Sequence, residues 1–336
     1  MLEENELALI EAVRNGDEQA FGALVEPLSR ELRAYCYRML GSFQDAEDAL
    51  QEARLKAWRS LASYAAQASF RAWLYRIVTN TCLDLLRTRA RRVLPQDVGP
   101  AVEPGPPSTE LRTDVAWLEP YPDALLPDTR TPEAALLLKS SVQLAFIRAM
   151  QVLPPVQRAA LILCDVLEWS SSDVAAMLET TVPAVNSALQ RARVAAARPE
   201  GPSPDELLAH EARAVSRFVR AWESGDFEQF VALLSEDVVL SMPPWVYWLD
   251  GREAVVGTLF SHSTWQGEPR PGRYRVVPAP MNGQPALLSY VRGNDGVYVS
   301  VCLTVLTLDA TGQISELTVF VLPDQLRAWG HPSTLE

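Results

Sequence analysis

The stretch PAVNSALQRAR places Asn186, Gln190, Arg191 and Arg193 within eight residues. A planar amide can bond two polar atoms of an adenine edge at once, and a guanidinium can bond guanine or a phosphate. Groups of these types suit the reading of a duplex. A second set follows helical spacing in FRAWLYRIVTNTCLDLLRTRARR: Arg76, Asn80, Asp84, Arg87 and Arg91, with Arg89 and Arg92 beside the last. Arginine's rigid fork matches phosphate, and each neutralised phosphate releases counterions. A cationic helix end favoured by the macrodipole accounts for one or two of these arginines, not for the cluster. A third set lies in DAEDALQEARLKAW, where Asp48, Gln51, Glu52 and Lys56 share a face. Taken alone, that is a solvated face.

Each set needs an element to aim it. Val185 and Leu189 anchor the helix that carries the first set, leaving Pro183, Ala184, Asn186, Ser187, Gln190, Arg191 and Arg193 outward. Thr181 can cap that helix and Pro183 sits in its first turn. The preceding WSSSDVAAML predicts a shorter helix capped by Ser171 or Ser172, with Val174, Ala175 and Leu178 inward. Together they predict a helix-turn-helix. The second set needs a helix burying Phe70, Trp73 or Leu74, Ile77 and Leu85, and the third one burying Ala46, Leu50, Ala53 and Ala57.

A net charge of −12 over 336 residues opposes contact with a polyanion in sum, yet the charge is segregated. Residues 1–52 carry 4 basic and 12 acidic groups, whereas residues 53–92 carry 9 and 1, a lobe of +8. Residues 93–136 sum to −6, residues 137–198 to +2 and residues 199–336 to −8. With a Debye length of about 8 Å in physiological salt, a nucleic acid feels the local patch rather than the total.

Residues 93–136 hold nine prolines and predict an extended linker, but Trp117, Leu118, Tyr121, Leu125 and Leu126 make its middle apolar enough to dock on a domain. Beyond it, residues 207–234 are helical in pattern. RYRVVPA, ALLSYVR, VYVSVCLTVLTL and ISELTVFVL then predict a meandering antiparallel sheet, with turns at Asn282-Gly283, Gly293–Gly296 and Asp309–Gly312. The four cysteines and three histidines are scattered without ligand spacing, predicting buried thiols and no metal or other cofactor. The acidic, amphipathic start and the absence of a run of about 18 apolar residues predict no membrane span and a cytoplasmic protein.

In their order, DAEDALQEARLKAW, FRAWLYRIVTNTCLDLLR and LPPVQRAALILCDVLEWSSSDVAAMLETTVPAVNSALQRAR resemble an extracytoplasmic-function sigma factor. The resemblance spans roughly residues 8–92 and 137–197. It implies a multidomain chain: an all-α sigma region 2 domain over 1–92, a Pro-rich acidic linker over 93–136 and an all-α sigma region 4 helix-turn-helix over 137–198. It also implies partners, namely core RNA polymerase through its β′ clamp helices and β subunit, and promoter DNA. Asp45, Asp48, Gln51 and Glu52 match the polymerase-binding helix. The loop Ser63–Ser69 with Arg76, Asn80, Asp84, Arg87 and Arg91 matches the part that opens and reads the minus-ten element. Pro183, Ala184, Asn186, Ser187, Gln190, Arg191 and Arg193 match the part that reads the minus-thirty-five element. One departure is Glu179, at a turn where the family often has Gly.

VSRFVRAWESGDFEQFVALLSEDVVLSMPP, DGREAV and the strands are similar to a SnoaL-like (nuclear-transport-factor-2-like) α+β cone, expected over 205–330. Trp245, Tyr247, Trp248, Phe260, Tyr290 and Tyr298 are the candidate pocket, and Trp222, Phe230 and Phe320 are core or pocket. Asp250, His262 and Tyr290 could act as acid and base in such a pocket, but no spacing singles them out, so a regulatory tail is expected and not an enzyme. The resemblance also allows for an unknown small ligand in the cone as a partner. A one-component regulator binding DNA without polymerase is the competing reading, and it leaves the acidic helix without a role.

Overall fold

The computed structural model describes residues 2–64, 69–105, 111–129, 131–196, 204–261, 271–321, 326 and 329–336. They form two compact units, each made of two chain segments: residues 1–92 with 125–198, and residues 93–124 with 199–336. The linker expected over 93–136 is thus divided between them, and helix begins inside it at Pro132.

The first unit is helical: α1 (Leu2–Arg14), α2 (Glu18–Val25), α3 (Ser29–Leu40), α4 (Phe43–Ser60), α5 (Phe70–Thr88), α6 (Pro132–Ser140), α7 (Leu144–Val152), α8 (Pro155–Leu161), α9 (Ser171–Met177) and α10 (Val182–Ala196). Side chains that bond their own backbone punctuate it. Asp17 caps α2, Ser42 accepts from Asp45 N at 3.0 Å to start α4, and Gly41 closes α3 at φ +70°, where a Cβ would be strained. Ala46, Ala49, Leu50, Ala53 and Ala57 of α4 are buried, as the alanine spacing requires, and face α3 and α5. On α5, Leu74 rather than Trp73 enters the core, with Phe70, Tyr75, Val78 and Cys82, while Ile77 and Leu85 are only half-buried. α9 starts from Ser170, not from Ser171 or Ser172: the Ser170 hydroxyl accepts from Asp173 N.

The second unit is built on α11 (Pro204–Ser224), α12 (Phe227–Val231), α13 (Arg252–Ser261) and one mixed sheet of seven strands. These are β1 (Leu234–Ser241), β2 (Trp248–Asp250), β3 (Tyr274–Pro278), β4 (Ala286–Arg292), β5 (Tyr298–Leu308), β6 (Ile314–Phe320) and β7 (Thr334–Leu335). The order is β2-β1-β6-β5-β4-β3, with β7 on β5. The meander over β3 to β6 is antiparallel as expected, but β1 joins β6 in parallel, so the sheet is not purely antiparallel. Between β1 and β6 the chain runs through β2, α13 and the strands β3 to β5, a long connection of the kind that parallel pairing needs and a hairpin cannot supply.

Residues 93–105 and 111–124 lie along this unit as a strap. Prolines leave the strap with acceptors and few donors, and the sheet domain supplies partners. Val102 N donates to Trp248 O at 3.0 Å, Trp248 Nε1 to Gly99 O at 2.8 Å, and Tyr247 Oη to Gly105 O. Tyr121, fully buried, donates its N–H to Asn282 Oδ1 at 2.9 Å and accepts from Asn282 N at 2.8 Å. Asn282 holds φ +59° in a tight turn closed by a Met281–Gln284 bridge.

Asn282 is thus both turn and clasp. Asn282→Ala should destabilise the sheet unit by about 2–3 kcal/mol, because the buried Tyr121 N–H loses its acceptor and alanine lacks asparagine's tolerance of the left-handed region. Asn282→Gly, which keeps the turn but loses the side-chain acceptor, should cost about 1–2 kcal/mol. Urea unfolding followed by tryptophan fluorescence measures both; equal losses would show that the turn strain contributes nothing.

Candidate nucleic-acid interface

The outward set on α10 is displayed in full: Pro183, Ala184, Asn186, Ser187, Gln190, Arg191 and Arg193 are all exposed. Val185, Ala188, Leu189 and Ala192 are buried beneath them, and a fully buried Val or Leu contributes about 1.5–3 kcal/mol. Thr181 Oγ1 accepts from Ala184 N at 3.4 Å. Several of the polar groups are pre-positioned by neighbours. Ser171 Oγ donates to Asn186 Oδ1 at 2.9 Å, and Arg191 Nη1 to Ser187 Oγ at 2.7 Å. Arg193 makes a two-pronged pair with Asp165 at 2.7 and 2.8 Å, which raises its already high pKa. Gln190 is exposed on this same face.

On α5, Arg76, Asn80, Asp84 and Arg87 are exposed along one side. Asp84 pairs with Arg87 at 2.9 Å and with Lys56 at 3.9 Å, so it orders cations rather than repelling phosphate alone. Arg76 pairs with Glu179, the residue at the α9–α10 turn. Glu179 holds φ +51°, a conformation costing an L residue other than Gly about 1–2 kcal/mol. Of the loop Ser63–Ser69, residues 65–68 lie outside the described residues. Tyr64 is buried there, 5.2 Å from the ring of Trp73.

The acidic face of α4 divides. Asp48, Gln51 and Glu52 are exposed, and exposed Leu55 extends the same side. Asp45 is buried instead, and its two oxygens take Arg89 and Arg92. It organises the basic lobe from inside, a role that the sequence spacing of one carboxylate cannot reveal. Sequence reasoning also passed over two buried arginines. Arg38 donates to Ser141 O and Oγ at 2.8–3.3 Å, and Arg158 donates to Met39 O, Gln151 Oε1, Gln151 O and Leu153 O. Burial, and next the charge of Arg91, bring Arg158 down to about 10.

In the sheet unit, Trp222, Phe230 and Phe218 with Leu240, Met242 and Cys302 line a cavity of about 30 Å³, room for a water molecule or two. Burial pushes the Cys302 thiol up to about 12, making it inert. The aromatic residues singled out from sequence have other work. Tyr247 and Trp248 hold the strap, Trp245 packs on the core, Tyr290 Oη donates to Pro332 O at 2.9 Å, and Tyr298 Oη donates to Gly272 O at 2.8 Å. Phe320 is core. Asp250 ends β2, exposed. The Phe260 side chain and His262 lie outside the described residues. Among the described residues no cluster of three His, Cys, Asp or Glu could hold a metal, and no helix is long and apolar enough to cross a membrane.

Known proteins share this arrangement. Two family models match, Sigma-70 region 2 over residues 24–92 and Sigma-70, region 4 over residues 143–195. The ECF RNA polymerase sigma factor SigG of Mycobacterium tuberculosis is 39% identical over 334 residues, spanning 96% of this chain and 86% of that protein. The RNA polymerase sigma-H factor of Pseudomonas aeruginosa is 31% identical over 196 residues, covering 58% of this chain and 93% of its own. The crystal structure of the Mycobacterium tuberculosis extracytoplasmic function sigma factor SigJ is 26% identical. It covers 93% of this chain and 99% of its own, with a TM-score of 0.61.

Asp45→Asn should cost about 1–3 kcal/mol, a buried-pair loss reduced because Arg89 and Arg92 keep partial access to water. Asp48→Asn, on the exposed side of the same helix, should stay within about 0.5 kcal/mol of the parent. Thermal unfolding of the two variants side by side tests the division of the acidic face; equal melting temperatures would refute it.

Proposed function

The chain belongs to the extracytoplasmic-function sigma factors of the sigma-70 family, and from that premise we propose how its surfaces divide promoter recognition. As a member of that family it is a transcription initiation factor, not an enzyme: it binds core RNA polymerase and directs it to promoter DNA. In the proposed division, Asp48, Gln51 and Glu52 of α4 dock on the β′ clamp helices, with Asp45 supporting the basic lobe behind them, and the helix-turn-helix half meets the β subunit. Arg76, Asn80, Asp84, Arg87 and Arg91 engage the opened minus-ten element in single-stranded form. Pro183, Ala184, Asn186, Ser187, Gln190, Arg191 and Arg193 read the minus-thirty-five element in the duplex major groove, in the cytoplasm where polymerase works.

The observation that carries this reading is the display on α10: all seven side chains are outward while their helix is anchored by four buried apolar ones. Such a face fits a major groove, and its amide and guanidinium groups suit base edges. The SnoaL-like cone modulates activity in cis. Support for that comes from the strap, since the chain between the two promoter-reading halves is bonded along the cone.

Gln190→Ala should lower promoter-specific transcription by core polymerase about 5- to 100-fold, the range for one lost bidentate base contact, without changing polymerase affinity. An unchanged transcript level would remove α10 from base reading. Tight, specific promoter binding without polymerase would instead favour a one-component regulator. A chain ended at Arg198 should transcribe differently from the full chain and be less soluble, because Trp117, Leu118 and Tyr121 lose the domain that buries them. Equal transcription by both would dismiss modulation in cis.

A further inference from the structure

Within the helical unit the two promoter-reading halves hold each other. α5 packs against α9, and the contact is made by cations that a nucleic acid would also want. Arg76 pairs with Glu179, with 49% and 68% of the two side chains exposed. One turn earlier on α5, the Arg71 guanidinium lies 4.9 Å from the centre of the Trp169 ring and 5.3 Å from that of Tyr75. Tyr75 and Trp169 themselves are 5.3 Å apart. Arg76 is therefore turned toward the helix-turn-helix, and so is the face of Arg71, whose fork also pairs with Glu31 of α3.

The same interface continues inward. Its buried centre is polar: Arg158 reaches from α8 to the α3 carbonyl of Met39, and Arg38 reaches from α3 to Ser141 after α6. Those buried contacts set the register of the two halves, whereas the exposed Arg76–Glu179 pair at the rim is the part that a competitor for the cation can open. Glu179 deepens the case. A glycine would occupy its left-handed turn without strain, so the backbone gives no reason for a carboxylate there. The contact with Arg76 does.

We propose that the α5 contact with the α9–α10 turn is an autoinhibitory latch, in which Glu179 occupies the Arg76 guanidinium that a DNA phosphate would take. Nucleic acid and the latch then compete for one cation, and the free chain is kept from binding DNA until its halves part. The idea rests on the reading of α5 as a DNA-binding surface. It is separate from the cone and strap, since the latch lies wholly within the helical unit.

The test uses the full-length chain without polymerase and a fluorescein-labelled random-sequence single strand of about 30 nucleotides, followed by polarisation at low salt. Glu179→Gly should tighten binding about 2- to 5-fold, the range an exposed ion pair is worth, and Glu179→Gln should do the same within error. The gain should disappear in the Arg76→Gln background, because the competitor's target is gone. Two results would each overturn the latch: no gain in affinity, or an equal gain with and without Arg76. A parent chain whose affinity for the strand is unaffected by Arg76→Gln would fault the DNA-binding reading of α5 instead, whatever Glu179 does.

Discussion

Two guanidinium groups out of contact with water decide how the helical unit is put together. Arg158 and Arg38 each cross from one half to the other and end on carbonyl groups at the close of a helix, Met39 of α3 and Ser141 after α6. Helix carboxyl ends carry unpaired acceptors and partial negative charge, so a cation is favoured there even without a carboxylate. Leaving such a group unbonded in the interior would be far more costly than either hydrogen bond is worth. Both halves must therefore present their helix ends in register. The apolar faces of α3, α4 and α5 could be satisfied in several arrangements; these two arginines select one.

Charge is handled in the same local way elsewhere. The chain is acidic in sum, yet Asp45 is spent inside the domain on Arg89 and Arg92, and Asp165 holds Arg193. Acidic groups placed behind or beside arginines restrict where their forks point, so that less order has to be created when a phosphate arrives. The remaining acidity sits in residues 1–52, in the strap and in the cone.

Periodic features were the legible ones. The alanine face of α4 and the outward face of α10 are set by neighbours within one helix, so spacing alone predicts them. What depended on distant partners was hidden. Asp45 lies in the same acidic run as Asp48, and only the fold makes one internal and the other external. Ser170, Ser171 and Ser172 are chemically alike, and the turn geometry before α9 chose Ser170. Tyr247 and Trp248 have the composition of a ligand cage, yet their polar atoms are taken by Gly105 and Gly99, well over a hundred residues earlier. The linker ended early because Pro132 is acceptable in a first helical turn. The parallel pairing of β1 with β6 likewise follows from a crossover that strand patterns do not record.

The strap also imposes an order of events on synthesis. Residues 93–124 leave the ribosome long before residues 199–336, and with translation at about 5–20 residues per second the wait exceeds roughly 5 s. During that interval Trp117, Leu118 and Tyr121 have no domain to enter, whereas the helical segments on either side can already find one another. A chain that stops early is thus marked by an exposed apolar ribbon between two finished halves, a state that chaperones and proteases act on. Folding of the sheet unit is what covers it, with Tyr121 clasped by the turn at Asn282.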